Sequence, residues 1–345
     1  MTRRDDSLVA LATLLPLAVL LIAERRIAGA AGFPLDDAWI HLHFARNLIE
    51  GAGFSYNPGT PVAGSTAPLW TLLVAATAAI AGPSVLAVKT LGVVLTAVAG
   101  VLTRRAAAAA GAPRAIALAA GIALVWAGPV AWGALSGMEV PLAALLVAGA
   151  LLAHVEDRAL ATAVLAALAV LARPEALLLV PLFAIARPPA IRRVMIFAAV
   201  TAVLVAPAVF FSLRTVGTAV PATAAAKVEG GLLGFLAGVR EPVTLTFAAR
   251  PWAFLVEWIR WLAMTQWLLP LALGPGLLLV WRRGGRALGI VALALVAHPL
   301  GMALLAPYRG PAFQEGRYSI HVLPIVLVTL AVTLGPLVTN RASVV

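Results

Sequence analysis

Two adjacent aspartates, Asp36 and Asp37, open a short stretch that also carries His41 and His43. An ionised carboxylate beside an apolar region can take the proton of an attacking hydroxyl. The same residues suit a plainer task, since aspartate at a helix start accepts from orphan N–H groups and complements the dipole. Asp37 and His41 stand four apart and so share one helical face. A metal site needs three or four ligands, and none is indicated here. Farther along, Glu139 heads an apolar run, where a lone carboxylate is costly unless it is paired or faces a cavity; a role complementing the helix dipole is the alternative. Arg173 and Glu175 flank Pro174 and can pair with each other. Lys227 is one of only two lysines and lies in an otherwise uncharged stretch, and Arg317 precedes Tyr318 at the mouth of the last apolar run. Each can hold an anion. Their plain alternatives are a solvated loop lysine and an arginine snorkelling to the interface.

These residues must be positioned by a very apolar chain. Of 345 residues, 62% are hydrophobic and 11% charged, with no cysteine. That composition excludes a soluble domain, a disordered chain and a disulfide scaffold. It implies an all-α, multi-pass membrane protein surrounded by lipid. Lys and Arg number 25 against 14 acids, a net charge of +11. In a membrane chain such an excess marks cytoplasmic loops, so nucleic acid is not expected as a partner.

A crossing takes ~20 apolar residues. Apolar runs at 8–23, 67–81, 85–103, 115–127, 140–154, 160–172, 176–186, 194–213, 261–281, 287–306 and 319–338 give about 10–11 transmembrane helices. The first run reads as an uncleaved signal anchor or as a signal peptide. Three stretches break the pattern: 24–66, a large loop at 214–260, and 307–317. In the first, Ile40, Phe44 and Leu48 recur at helical spacing with Trp39 alongside, the mark of an interfacial helix. Trp252, Trp258, Trp261 and Trp267 suit an aromatic belt on an amphipathic helix, or a stacking surface.

Arginine clusters at 104/105/114, 187/192/193 and 282/283/286 belong inside by the positive-inside rule, which puts 214–250 and 307–317 outside. Tracing back to residue 24 then fails by one crossing. Either 67–81 is partial or re-entrant, or the first arginine cluster lies outside.

Five segments carry a family resemblance. They are Asp36-Asp-Ala-Trp-Ile through Gly64-Ser-Thr-Ala-Pro-Leu-Trp, then Ser136-Gly-Met-Glu, Arg173-Pro-Glu, Gly217-Thr-Ala-Val-Pro-Ala-Thr-Ala-Ala-Ala-Lys, and more loosely Gly316-Arg-Tyr. In this order they resemble the bacterial GT-C membrane glycosyltransferases, closest to the arabinofuranosyltransferase-like branch. Ala67 and Ala222 depart from the pattern, standing where relatives often carry Asn. The chain is short for that branch, and a single transmembrane domain over 1–345 without a separate soluble domain is expected.

The resemblance implies a GT-C-like bundle in the cytoplasmic membrane, with its active site on the extracytoplasmic face. It implies transfer of a sugar from a polyprenyl-phosphate donor to a hydroxyl of a cell-envelope glycan or glycolipid, with inversion. Asp36 or Asp37 would be the base, with Asp36 favoured by analogy. Lys227 and Arg317 would hold the donor phosphate, and Glu139, His41, Tyr318 and Arg173 would bind substrate. No cofactor is implied. A transporter or flippase of a lipid-linked substrate is the alternative; it would use the same cations but have no need of the aspartates.

Overall fold

The computed structural model describes residues 3–219, 221, 231–236, 241–265, 270, 272–305 and 318–342. Among them the structure is helical, with one isolated β-bridge between Ser55 and Pro61. The first ten α-helices are α1 Arg3–Ala28, α2 Asp36–Ile49, α3 Pro68–Ala81, α4 Val85–Ala109, α5 Arg114–Trp126, α6 Gly128–Leu135, α7 Val140–Val155, α8 Ala159–Ala172, α9 Val180–Ile185 and α10 Ala190–Val216, with a 3-10 helix, Pro174–Leu179, leading into α9. Later helices include Arg250–Thr265, Gly285–Ala292, Ala294–Leu305 and Leu323–Ala342. The stretch 214–260 is therefore not a plain loop: its described residues include helix Gly231–Leu236 and the start of Arg250–Thr265.

The chain is a multi-pass membrane protein. Among the described residues, four stretches are long and apolar enough to cross a bilayer: α1, α4, α10 and Gly285–Leu305. The pair α5 and α6, bent by 52°, makes a fifth if it is one broken span. Hydropathy suggests about 10–11 crossings; the remaining apolar helices among the described residues, α7 and α8 included, have only 10–17 residues. Their shortness has a physical reason. Nearly every residue of α7 is buried inside the bundle, so protein rather than hydrocarbon surrounds it, and its length need not match the bilayer. By contrast only 6% of the most apolar stretch of α10 is buried. Its exposed Ile191, Met195, Val203 and Phe210 form the kind of surface that lipid covers.

Ion pairs reveal which helix ends lie together. At one end of the bundle, Asp6 bonds Arg104 and Arg105, each at 2.6 Å, and Asp5 bonds Arg114 at 2.8 Å, clamping α1 to α4 and α5. Asp157, just past α7, pairs with Arg193 at 3.0 Å and Arg187 at 3.7 Å. His154 Nε2 donates to the Ala287 carbonyl at 3.1 Å, and Arg283 donates to the Thr333 carbonyl. All three arginine clusters thus share one end.

The opposite end holds the first loop. Lys89 Nζ donates to Glu24 Oε1 at 2.6 Å, joining the start of α4 to the finish of α1. Trp70 Nε1, in the first turn of α3, donates to the Gly137 carbonyl at 3.0 Å, and α3 finishes just before α4 begins. Both ends of α3 therefore lie at the first-loop end. Of the two sequence alternatives, 67–81 is the partial segment, and the first arginine cluster stays with the others. Close approach makes this core compact: a Cβ on Gly92 of α4 would sit 2.0 Å from the Ala134 carbonyl oxygen of α6, so the crossing requires a residue without one.

Candidate active site

The site is built from chain reversals at the first-loop end. After α6, Ser136 Oγ donates to the Gly133 carbonyl at 2.9 Å and accepts from the Met138 N–H at 3.2 Å. Gly137 then adopts φ +77, a conformation that any side chain strains. A Cβ there would also meet Phe33 at 2.6 Å and Ala38 at 2.9 Å. The Ser-Gly-Met-Glu segment thus turns the chain tightly, seats the start of α2 against it, and delivers Glu139 to the head of α7. A second reversal follows α8. Arg173 precedes Pro174, which disfavours helical backbone at the preceding residue, and it adopts φ −148, ψ 115. Its guanidinium turns inward as a result.

These two reversals meet. Arg173 NH1 lies 3.0 Å from Glu139 Oε1, and its Nε lies 3.6 Å from Glu175 Oε2. Its guanidinium carbon stands 5.1 Å from the centre of the Tyr318 ring, within cation–π range. On the other side, His41 Nε2 lies 3.9 Å from Glu139 Oε2. His41 Nδ1 is held by Thr71 Oγ1 at 2.9 Å, with Ser65 Oγ 3.4 Å away. Ser65 in turn accepts from the Ala67 N–H at 3.1 Å as α3 begins. The side chains of Arg173, His41 and Glu139 are 4%, 6% and 9% exposed. Buried charge survives where partners compensate its desolvation, and here every charged member has one.

All four residues expected to bind substrate, His41, Glu139, Arg173 and Tyr318, therefore belong to one connected constellation. Its bonding is internal. Arg173 pairs with Glu175, as their spacing suggests, and also with Glu139, which the spacing does not suggest.

Asp36 and Asp37 occupy the first turn of α2. The residue before the helix is Leu35, which makes no side-chain cap bond. Asp36 Oδ1 instead accepts from the Asp37 N–H at 2.9 Å, a local bond that leaves Asp36 exposed, while Asp37 is half-buried. Ala38 packs on Gly137, two residues before Glu139, so the aspartates flank the buried constellation at its exposed rim. His43 faces elsewhere, toward the Tyr56 carbonyl at 2.8 Å and the Arg46 guanidinium at 3.1 Å. Lys227 and Arg317 lie outside the described residues. Among the described residues no group of three or more His, Cys, Asp or Glu could hold a metal ion.

Sequence reasoning passed over four participants. Ser65 reads as part of a turn, and Thr71 as a polar residue inside an apolar helix. His298 and His321, both 1% exposed, pack edge-to-face at 4.9 Å beside this site. The available signal is the cost of a polar ring in an apolar span, which applies to both histidines. No protein-family model matches this chain, and no curated protein matches it in sequence.

Proposed function

We propose that the chain is an inverting membrane glycosyltransferase that moves a sugar from a polyprenyl-phosphate donor to a hydroxyl of a cell-envelope glycan or glycolipid. The observation that carries this reading is the gathering at one bundle end of five separated segments: the aspartate pair with His41, Ser65 with Thr71, Glu139, Arg173 with Glu175, and Tyr318. The arginine clusters occupy the other end. In this reading that other end faces the cytoplasm, as the positive-inside rule expects, and the reaction runs on the extracytoplasmic side of the cell membrane.

In this reading Asp36 or Asp37 takes the proton of the acceptor hydroxyl as its oxygen attacks the anomeric carbon. The bond from that carbon to the phosphate oxygen breaks, and the electron pair leaves with the lipid phosphate. That product is already a stable anion, so no general acid is needed. Lys227 and Arg317 are assigned to the growing phosphate charge. His41, Glu139 and Arg173 act as positioning residues: they fix the ends of α2, α7 and α8, so the aspartates stand against a rigid wall. The exposed apolar flank of α10 is available to the isoprenoid chain.

The test is transfer in proteoliposomes supplied with labelled polyprenyl-phosphate sugar and acceptor. Lys227→Ala and whichever of Asp36→Asn and Asp37→Asn removes the base, each folded, are expected to lose glycan product. Undiminished transfer in all three variants contradicts the reading. Movement of intact donor across the bilayer without transfer favours a flippase.

A further inference from the structure

Positive charge at the arginine-rich end gathers where α8 and α10 begin. Both helices start at that end, α8 after the turn that follows α7 and α10 shortly after Arg187. Asp157, in the turn, accepts from Arg193 NH1 at 3.0 Å and lies 3.7 Å from Arg187 Nε, which holds the turn against the start of α10. Arg158 follows Asp157 and Arg192 precedes Arg193; both are exposed. Arg286 is exposed too, one residue before Ala287, whose carbonyl bonds His154 just ahead of the same turn. Five arginines thus stand around two carboxylates, Glu156 and Asp157.

Two further features suit this corner to an anion. Neither α8 nor α10 has a side-chain cap bond at its start. The N–H groups of both first turns and the positive ends of both dipoles are therefore offered to the same corner. Arg193, with its side chain 6% exposed, also keeps Nε and NH2 without a hydrogen-bond partner. It shares one largely exposed carboxylate with Arg187. Desolvated charge of this kind needs compensation, and an anion resting over the corner supplies it through the field without having to reach those atoms.

The surface beside the corner decides what carries the anion. Leu160, two residues past Arg158, is exposed, and so are Ile191 and Met195 on either side of Arg192 and Arg193. α10 packs on α8, so these side chains continue one apolar flank that lipid covers. A soluble anion gains nothing from that flank. A phospholipid uses both parts: planar guanidiniums bond its phosphate, and its acyl chains lie on the apolar side chains.

We infer that the corner between α8 and α10 binds an anionic phospholipid of the adjoining leaflet, its phosphate held by Arg158 and Arg192 and its acyl chains laid on Leu160, Ile191 and Met195. A zwitterionic headgroup brings a cation that the surplus arginines repel, so a net negative charge is selected. The inference needs the membrane placement and is independent of the transferase reading.

The test uses the full chain in phosphatidylcholine nanodiscs. They contain a trace of either phosphatidylglycerol or phosphatidylcholine with a photoreactive acyl chain, and crosslinks are mapped by mass spectrometry. Phosphatidylglycerol is expected to label Leu160, Ile191 or Met195 in preference to phosphatidylcholine. Arg158→Gln and Arg192→Gln are each expected to lower that labelling about fivefold, the worth of one surface arginine facing anionic lipid. Arg46→Gln, which removes an exposed arginine at the first-loop end, is expected to leave it unchanged. Equal labelling by the two lipids, labelling that survives the Arg158→Gln/Arg192→Gln double variant, or an equal loss in Arg46→Gln would overturn the inference. So would abolition of labelling by added inorganic phosphate, which would assign the corner to a free anion.

Discussion

Two clusters of ion pairs, one at each end of the bundle, share their ions in opposite ways. At the arginine-rich end three acids are each shared by two arginines: Asp6 by Arg104 and Arg105, Asp5 by Arg114 and Arg104, Asp157 by Arg187 and Arg193. At the first-loop end one arginine is shared by two acids, Arg173 by Glu139 and Glu175. The first arrangement clamps helix ends and leaves positive charge over, as a cytoplasmic face should. The second sets two carboxylates against one guanidinium, with Asp36 and Asp37 at its rim. An ionised carboxylate there can accept a proton. Both clusters have buried members; which ion is shared is what separates the clamp from the candidate site.

The strongest way to break this contrast is at the rim. Asp36→Asn and Asp37→Asn are expected to cut glycosyl transfer by about 10²–10⁴-fold at whichever residue is the base, with thermal stability in detergent unchanged. An equal loss of stability would make the pair structural. Next come the two buried arginines. Arg173→Ala strands the buried carboxylates of Glu139 and Glu175 and is expected to cost about 3–5 kcal/mol in unfolding experiments, whereas Arg104→Ala leaves Asp6 to Arg105 and Asp5 to Arg114 and is expected to cost less. Only the Arg173 change should also alter the kinetics of any folded remainder. A smaller effect sharpens the geometry: Gly137→Ala puts a Cβ against Phe33 and Ala38 at positive φ and is expected to cost about 1–3 kcal/mol, with transfer impaired because α2 shifts. The smallest effect is at Arg105, whose side chain is 45% exposed. Its change to Ala is expected to cost about 0–1 kcal/mol and leave transfer intact, as thermal shift and activity assays would register.

Much of the helical plan is legible in the sequence because apolar runs and their charged interruptions report burial directly. The grouping of the arginine clusters follows from charge alone. The direction of 67–81 does not, because hydropathy scores a segment without saying where its ends go. The Glu24–Lys89 and Trp70–Gly137 contacts are what settle it. Span lengths mislead for a related reason: a helix such as α7, wrapped by other helices, is freed from the bilayer's width.

The site was half legible. Glu139, Arg173 and His41 are each recognisable as polar groups in costly places, and Arg173 with Glu175 follows from spacing. That Glu139 stands between His41 and Arg173, and that Tyr318 supports Arg173, are tertiary facts carried by no local pattern. His298 and His321 do not stand out in the sequence, because an isolated histidine in an apolar run gives no hint of its neighbour.

The most direct measurement follows the fate of the label. Wild-type protein is incubated with polyprenyl-phosphate carrying an isotopically labelled sugar and with an acceptor glycan, and the anomeric configuration of the product is read by NMR. The account predicts that the sugar leaves the lipid phosphate and appears on the acceptor with its configuration inverted. A label that stays on its lipid, or a product with retained configuration, would contradict it.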